Sequence, residues 1–124
     1  WSQEQKLVAA DGVQSDQFGF SVGLSGDTAV IGAPLDEPTT TLANNHGSAY
    51  VFTRSGGVWS LQQKLVAADA QIGANYGYHV ALEADTALIG SPAADVSSVT
   101  DSGAAYVHFR SGTTWTQQRK LIAR

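Results

Sequence analysis

Residues 1–34 read WSQEQKLVAADGVQSDQFGFSVGLSGDTAVIGAP, and residues 59–92 read WSLQQKLVAADAQIGANYGYHVALEADTALIGSP. At this offset of 58, 18 of 34 positions are identical. Residues 47–68 and 103–124 agree at 12 of 22 positions at an offset of 56. The chain is an internal duplication, and each copy is one supersecondary unit that must bury itself against a neighbour. The offset falls by two because the loop 35–46 is two residues longer than the loop 93–102. The phrase Trp-x-x-x-x-Lys-Leu occurs three times, beginning at Trp1, Trp59 and Trp115. The chain therefore holds two full repeats and one surplus copy of that segment.

Each repeat contains four extended segments. In Phe18–Leu24 large residues alternate with Gly and Ser, the period of a strand, and the small face predicts close approach of another backbone. Thr28–Ala33 is apolar on both faces, which suits a strand covered on both sides. Val30, Ile31, Leu88 and Ile89 are accordingly expected to be buried. Pro34 ends this strand because it cannot donate to a ladder. Ser48–Thr53 is the third segment and Trp59–Ala67 the fourth. In the fourth, Trp59, Leu61 and Leu65 read as one face and Ser60, Gln62 and Lys64 as the other, the pattern of an outer strand. Ser25-Gly26-Asp27 and Ser55-Gly56-Gly57 supply the hairpin turns. No stretch carries a sustained helical period. A four-stranded antiparallel unit with sheet packing on both faces is a β-propeller blade. A β-solenoid is the competing repeat fold, with shorter coils and parallel strands. The division that follows is a surplus outer-strand segment at 1–10, a first blade at 11–68 and a second at 69–124.

Composition sets outer limits. The chain has 124 residues, one small domain's worth. It is too apolar (43%) and too weakly charged (15%) for a disordered chain. Seven basic against eleven acidic residues give a net charge of −4 with no basic cluster, which argues against nucleic acid as a partner. No apolar run suggests membrane insertion. The absence of cysteine leaves the redox compartment unread. The start at Trp1, without Met, reads as a processed product, an excised piece or an ordered part of something longer.

Phe18-Gly19 followed by Gly32-Ala33-Pro34 resembles the FG-GAP repeat, degraded to Tyr76-Gly77 and Gly90-Ser91-Pro92 in the second copy. The wider phrase, including Asp11, Ser25-Gly26-Asp27-Thr28-Ala29 and Gly47-Ser48-Ala49-Tyr50-Val51-Phe52, is similar to the microbial branch of that family. The resemblance implies an all-β fold of propeller blades like those of integrin α-chains. It further implies a secreted or cell-surface protein with an adhesive or binding role. Integrin-type blades often carry a calcium loop of several Asp residues between their first two strands. Here that turn holds one Asp, Asp27 or Asp85, and calcium needs six to eight oxygens. No metal site is carried over, and no cofactor is expected.

Asp27 with Asp85, and Asp11 with Asp69, recur across the repeats. They read as paired carboxylates for catalysis or metal, or as caps of their own turns, and recurrence in every blade favours the caps. Trp1, Trp59 and Trp115 read as inter-blade packing or as aromatic sugar platforms. The unmatched residues are the better ligand-binding candidates. His79 replaces Ser21 on the small face and could line a central channel. His108 replaces Phe52, and His46 sits in the long loop. Asp36, Glu37, Asp95 and Asp101, in the variable loops, are expected to be solvated. No two histidines have metal-ligand spacing. A Gly-x-Ser-x-Gly elbow and a phosphate-binding loop are both missing, so no catalytic residue is assigned. The candidate binding set is His46, His79, Trp59 and Trp115.

The expected function is a non-enzymatic, extracellular or cell-surface propeller module with a structural, adhesive or protein-binding role. A glycan-binding lectin is the alternative, and part of a propeller enzyme a further one. Two blades cannot close a ring. Their two different apolar faces predict head-to-tail self-association, as a ring or a filament. The surplus Trp-Lys-Leu segment must be displaced, pair with a neighbouring chain or belong to another blade.

Overall fold

The computed structural model describes residues 1–37 and 45–123. Eight strands form two four-stranded antiparallel sheets, and no helix occurs among the described residues. Blade 1 contains β1 (Ser21–Ser25), β2 (Thr28–Ala33), β3 (Ser48–Ser55) and β4 (Val58–Leu65). Blade 2 contains β5 (His79–Glu83), β6 (Thr86–Ser91), β7 (Ala104–Ser111) and β8 (Thr114–Ile122). Within each blade the strands neighbour one another in sequence order. The blades lie face to face. The backbones of their innermost strands, β1 and β5, pack closely, whereas those of the outermost, β4 and β8, stand farther apart and are bridged by side chains. The architecture is that of propeller blades, two in number and not closed into a ring.

Three expectations need correction. The first strand begins at Ser21, and Phe18-Gly19 lies in the turn before it, where the Gly19 N–H donates to the Gly32 carbonyl (3.1 Å). The motif's two halves are therefore hydrogen-bonded inside one blade, and Gly77 repeats the contact with Gly90. Next, β4 does not keep one face. Val51 pairs with Gln63 while Phe52 pairs with Leu61, so Gln62 is an extra residue in a bulge. A bulge shifts the two-residue alternation. Leu65, opposite Ala49, is buried on the side of blade 2, while Trp59 and Leu61 lie on the side of Phe52. The last correction concerns Leu88, which is 40% exposed although Val30, Ile31 and Ile89 are buried as expected.

Two clusters make up the core. Val30, Ala49, Val51 and Leu65 of blade 1 meet Ala87, Ile89, Tyr106 and Trp115 of blade 2, with Ala67 and Tyr76 of the connecting segment between them. On the other face of blade 1, Ile31, Ala33, Tyr50 and Phe52 are covered by Leu7, Ala9 and Phe18. β2 is thus buried along its whole length, as a two-sided apolar strand should be. The blades approach closely because glycine lets them. A Cβ on Gly32 would collide with the Gly77 carbonyl, and one on Gly77 with the Ser48 carbonyl. Gly23 on β1 is less demanding, since an added Cβ would meet the Leu82 backbone at 3.5 Å, an ordinary contact.

Candidate functional site: the blade-to-blade interface

The recurring polar residues hold blade 1 to blade 2, and their counterparts hold residues 1–7 to blade 1. The Gln63 side chain donates to the Trp115 carbonyl (2.8 Å) and accepts the Trp115 N–H (2.7 Å), clamping β4 to β8. Gln5 makes the same pair with Trp59, both at 2.9 Å. Arg110 reaches across the interface to Thr28 Oγ1 (3.0 Å) and Gln62 Oε1 (3.3 Å), while its Nε donates to Asp85 (2.7 Å). Arg54 repeats this with Asp27 (2.8 Å) and Glu4 (3.4 Å). Each guanidinium also covers its neighbouring indole, Arg54 over Trp59 at 5.3 Å and Arg110 over Trp115 at 4.9 Å. Sequence reading missed the Gln and Arg positions, although Gln5 and Gln63 match at the repeat offset and so do Arg54 and Arg110.

The paired carboxylates serve their own blades. Asp11 accepts from the Tyr50 hydroxyl (2.9 Å) and the Lys64 ammonium (2.6 Å). Asp69 does so with Tyr106 (2.9 Å) and Lys120 (2.6 Å). Burial pushes both carboxyls up, but the lysine and tyrosine donors outweigh it and hold them below the ordinary aspartate value. Asp27 and Asp85 are held by arginine side chains. All four serve the blade structure, but through tyrosine, lysine and arginine side chains on other strands and not as the expected caps of their own turns.

Asp36 is not solvated. It is 2% exposed, accepts from Ser48 Oγ and pairs with Lys64 at 2.7 Å. Its counterpart is Ala94, so blade 2 lacks this second carboxylate. The reason is local: Asp36 follows Pro34 back beneath the sheet, where its N–H donates to the Ala33 carbonyl and its carbonyl accepts from Gly47. Asp95 and Asp101 are exposed, and residues 38–44 of the longer loop lie outside the described residues.

The candidate binding residues are not brought together. Trp115 is 3% exposed in the interblade core, its indole N–H donating to Gln62 (2.8 Å). Trp59 is half-buried beneath Arg54, and Trp1 is fully exposed. His46 is half-buried with an unpartnered Nδ1 among the described residues. His108 is buried and shares a 2.6 Å hydrogen bond with the Tyr76 hydroxyl. Burial pushes its pKa down to about 4. His79 is exposed on β5 beside Leu88, Gly90 and Ala105. Among the described residues no group of three or more His, Asp or Glu could hold a metal ion.

His79 belongs to a larger feature, the far face of blade 2. Leu88, Phe109 and Leu121 there are between 40% and 46% exposed. A hollow of about 580 Å³ lies among Ala81, Leu82, Glu83, Ala84, Thr86 and Leu88. A smaller one, about 150 Å³, lies over Gly90. In the repeat alignment Leu88, Ala105, Val107 and Leu121 correspond to Val30, Ala49, Val51 and Leu65. Those are the residues that blade 1 buries against blade 2. The exposed face is a copy of an occupied one.

Two antiparallel four-stranded blades, packed face to face through glycine contacts, define a β-propeller-type repeat protein. The sequence profile of the FG-GAP repeat matches residues 1–52 and 59–108, and the chain belongs to that family. No curated protein sequence matches it. Each matched repeat begins at a Trp-Lys-Leu segment, so the second begins inside blade 1, one strand before the sheet it leads into.

Proposed function

We propose that this chain is a non-enzymatic, extracellular or cell-surface propeller module that works by binding protein, and that copies of it associate head-to-tail through their blade faces. The far face of blade 2 carries the reading. It repeats the apolar pattern that blade 1 buries, and exposed apolar faces of this kind mark association sites. The surface complementary to it is the front of blade 1, with Ile31, Tyr50 and Phe52. These match Ile89, Tyr106 and His108, which blade 2 turns toward blade 1. Front and back are different surfaces, so their contact is head-to-tail and extends to a ring or a filament. The recurring carboxylates are engaged in blade structure, which supports a non-catalytic role. Surface placement is part of the proposal and is supported only by the resemblance of these repeats to those of secreted or cell-surface proteins. The lectin alternative has less support, because Trp115 is buried and Trp59 lies under Arg54.

Sedimentation equilibrium over a micromolar concentration series tests the reading. The mass should rise above 13 kDa with concentration. Leu88→Asp, which places a charge on the exposed face, should hold the chain as a folded monomer. A wild-type chain that stays monomeric throughout, or association that Leu88→Asp leaves untouched, would overturn it.

A further inference from the structure

Resting on that head-to-tail reading, we propose that residues 1–7 are a built-in cap: they sit on blade 1 in the seat that β8 of a second copy would take, and association requires their release.

The seat is defined by repetition. Residues 1–7, 59–65 and 115–121 are three copies of one segment. The second copy is most of β4, and it lies over blade 2 through the Gln63 clamp on Trp115, the Gln62 contact with Arg110, and Leu65 in the interblade core. The first copy lies over blade 1 through the same contacts: the Gln5 clamp on Trp59, Glu4 against Arg54, and Leu7 on the cluster of Ile31 and Tyr50. Residues 1–7 thus stand where the outer strand of a preceding blade belongs. When blade 2 of one copy takes the front of blade 1 of another, that preceding blade brings its own outer strand, β8. Two segments then compete for one seat.

The contest has a predictable loser. β8 pairs with β7 from Ala104↔Ile122 to Ser111↔Thr114. Residues 1–7 join no ladder, and Trp1 is fully exposed. The segment without a ladder is the one that yields. The clamp position nevertheless favours the cap. It is Gln5 in the first copy and Gln63 in the second, but Arg119 in the third. A glutamine amide both donates and accepts, and so serves the Trp59 carbonyl and N–H together. A guanidinium only donates, and would leave the Trp59 N–H unserved. The chain therefore carries a better clamp on its cap than on the strand that replaces it. A competent front available only part of the time weakens the apparent association in proportion.

The test measures the self-association constant of the full chain by sedimentation equilibrium. Gln5→Ala removes two hydrogen bonds from the cap and should tighten association roughly ten-fold. Arg119→Gln gives β8 the full clamp and should also tighten it, several-fold, without touching the cap. Trypsin should cut after Lys6 faster as the protein is concentrated, because association frees the segment. Leu88→Asp added to either variant should abolish association. If both variants leave the constant unchanged or weaken it while Leu88→Asp still abolishes it, head-to-tail packing stands and the cap falls. If Leu88→Asp has no effect, the packing falls and the cap with it.

Discussion

Leu65 in blade 1 and Leu121 in blade 2 occupy the same place in the repeat, yet Leu65 is 2% exposed and Leu121 is 44% exposed. Val30 and Leu88 differ in the same way, at 0% and 40%. The strands that carry Val30 and Leu88 have the same length, those that carry Leu65 and Leu121 differ by one residue, and all pair in the same order. What differs is the neighbour: blade 1 is covered on one face by blade 2 and on the other by residues 7–18, whereas blade 2 is covered on one face only. Burial in a repeat protein belongs to the interface between units, so equal sequence can carry unequal energy.

Paired leucine truncations give the largest contrast. Leu65→Ala should cost about 2–5 kcal/mol, the range for a buried leucine that leaves a cavity. Leu121→Ala should cost less than about 1 kcal/mol in the dilute monomer, as for an exposed side chain. Denaturant titration at low concentration measures both. Equal costs would mean that the far face of blade 2 is covered in solution.

A second difference concerns Phe52 and His108. In blade 1 Phe18 meets Phe52 edge-on at 6.1 Å, and in blade 2 Tyr76 meets His108 at the same distance with a hydrogen bond added. His108 titrates near 4 in the folded chain, against about 6.5 when unfolded. Between those values the unfolded state binds more protons, so stability falls as pH drops from about 6.5 toward 4. The loss should approach about 3 kcal/mol at the acid end. Tyr76→Phe combined with His108→Phe restores the blade 1 pair and should remove the slope between pH 6.5 and 5. His108→Phe alone should also flatten it, at a cost of about 1–3 kcal/mol for a buried hydroxyl left without a partner. Thermal melts across this pH range separate the two variants, and a slope that survives the double substitution would assign it to another group.

The smallest expected effect is that of metal. Asp27 and Asp85, the turn carboxylates, are held by Arg54 and Arg110. Chelator should leave the melting temperature unchanged, and calcium should not raise it. A large calcium-reversible fall in either blade would show that oxygen ligands gather where arginine now sits.

Much of the blade was readable before any coordinates. The duplication set the unit, period-two alternation marked the inner strand, and the Gly-Ser face of Ser21–Ser25 announced the close approach at which Ser21 Oγ donates to the Gly77 carbonyl. The Gln62 bulge was not readable, because Trp59–Leu65 alternates plausibly in sequence and only pairing with β3 shows the extra residue. Asp36 looked like any acidic loop residue until Lys64 and Ser48 were seen to enclose it. The Gln5 and Gln63 clamps left a trace, identical residues at one offset, but nothing in the residue type pointed to backbone groups 54 and 52 positions away.

The sequence by itself determined the all-β class, the two units, the strand order within each and the apolar stripe on each strand, because these depend on neighbours a few residues apart and on a repeat that can be counted. The tertiary structure alone decided which copy of each stripe is buried, which segment covers the front of blade 1, and which charges are enclosed. Those outcomes depend on what lies opposite a face in space, and two copies of one sequence differ there as soon as one of them lacks a neighbour.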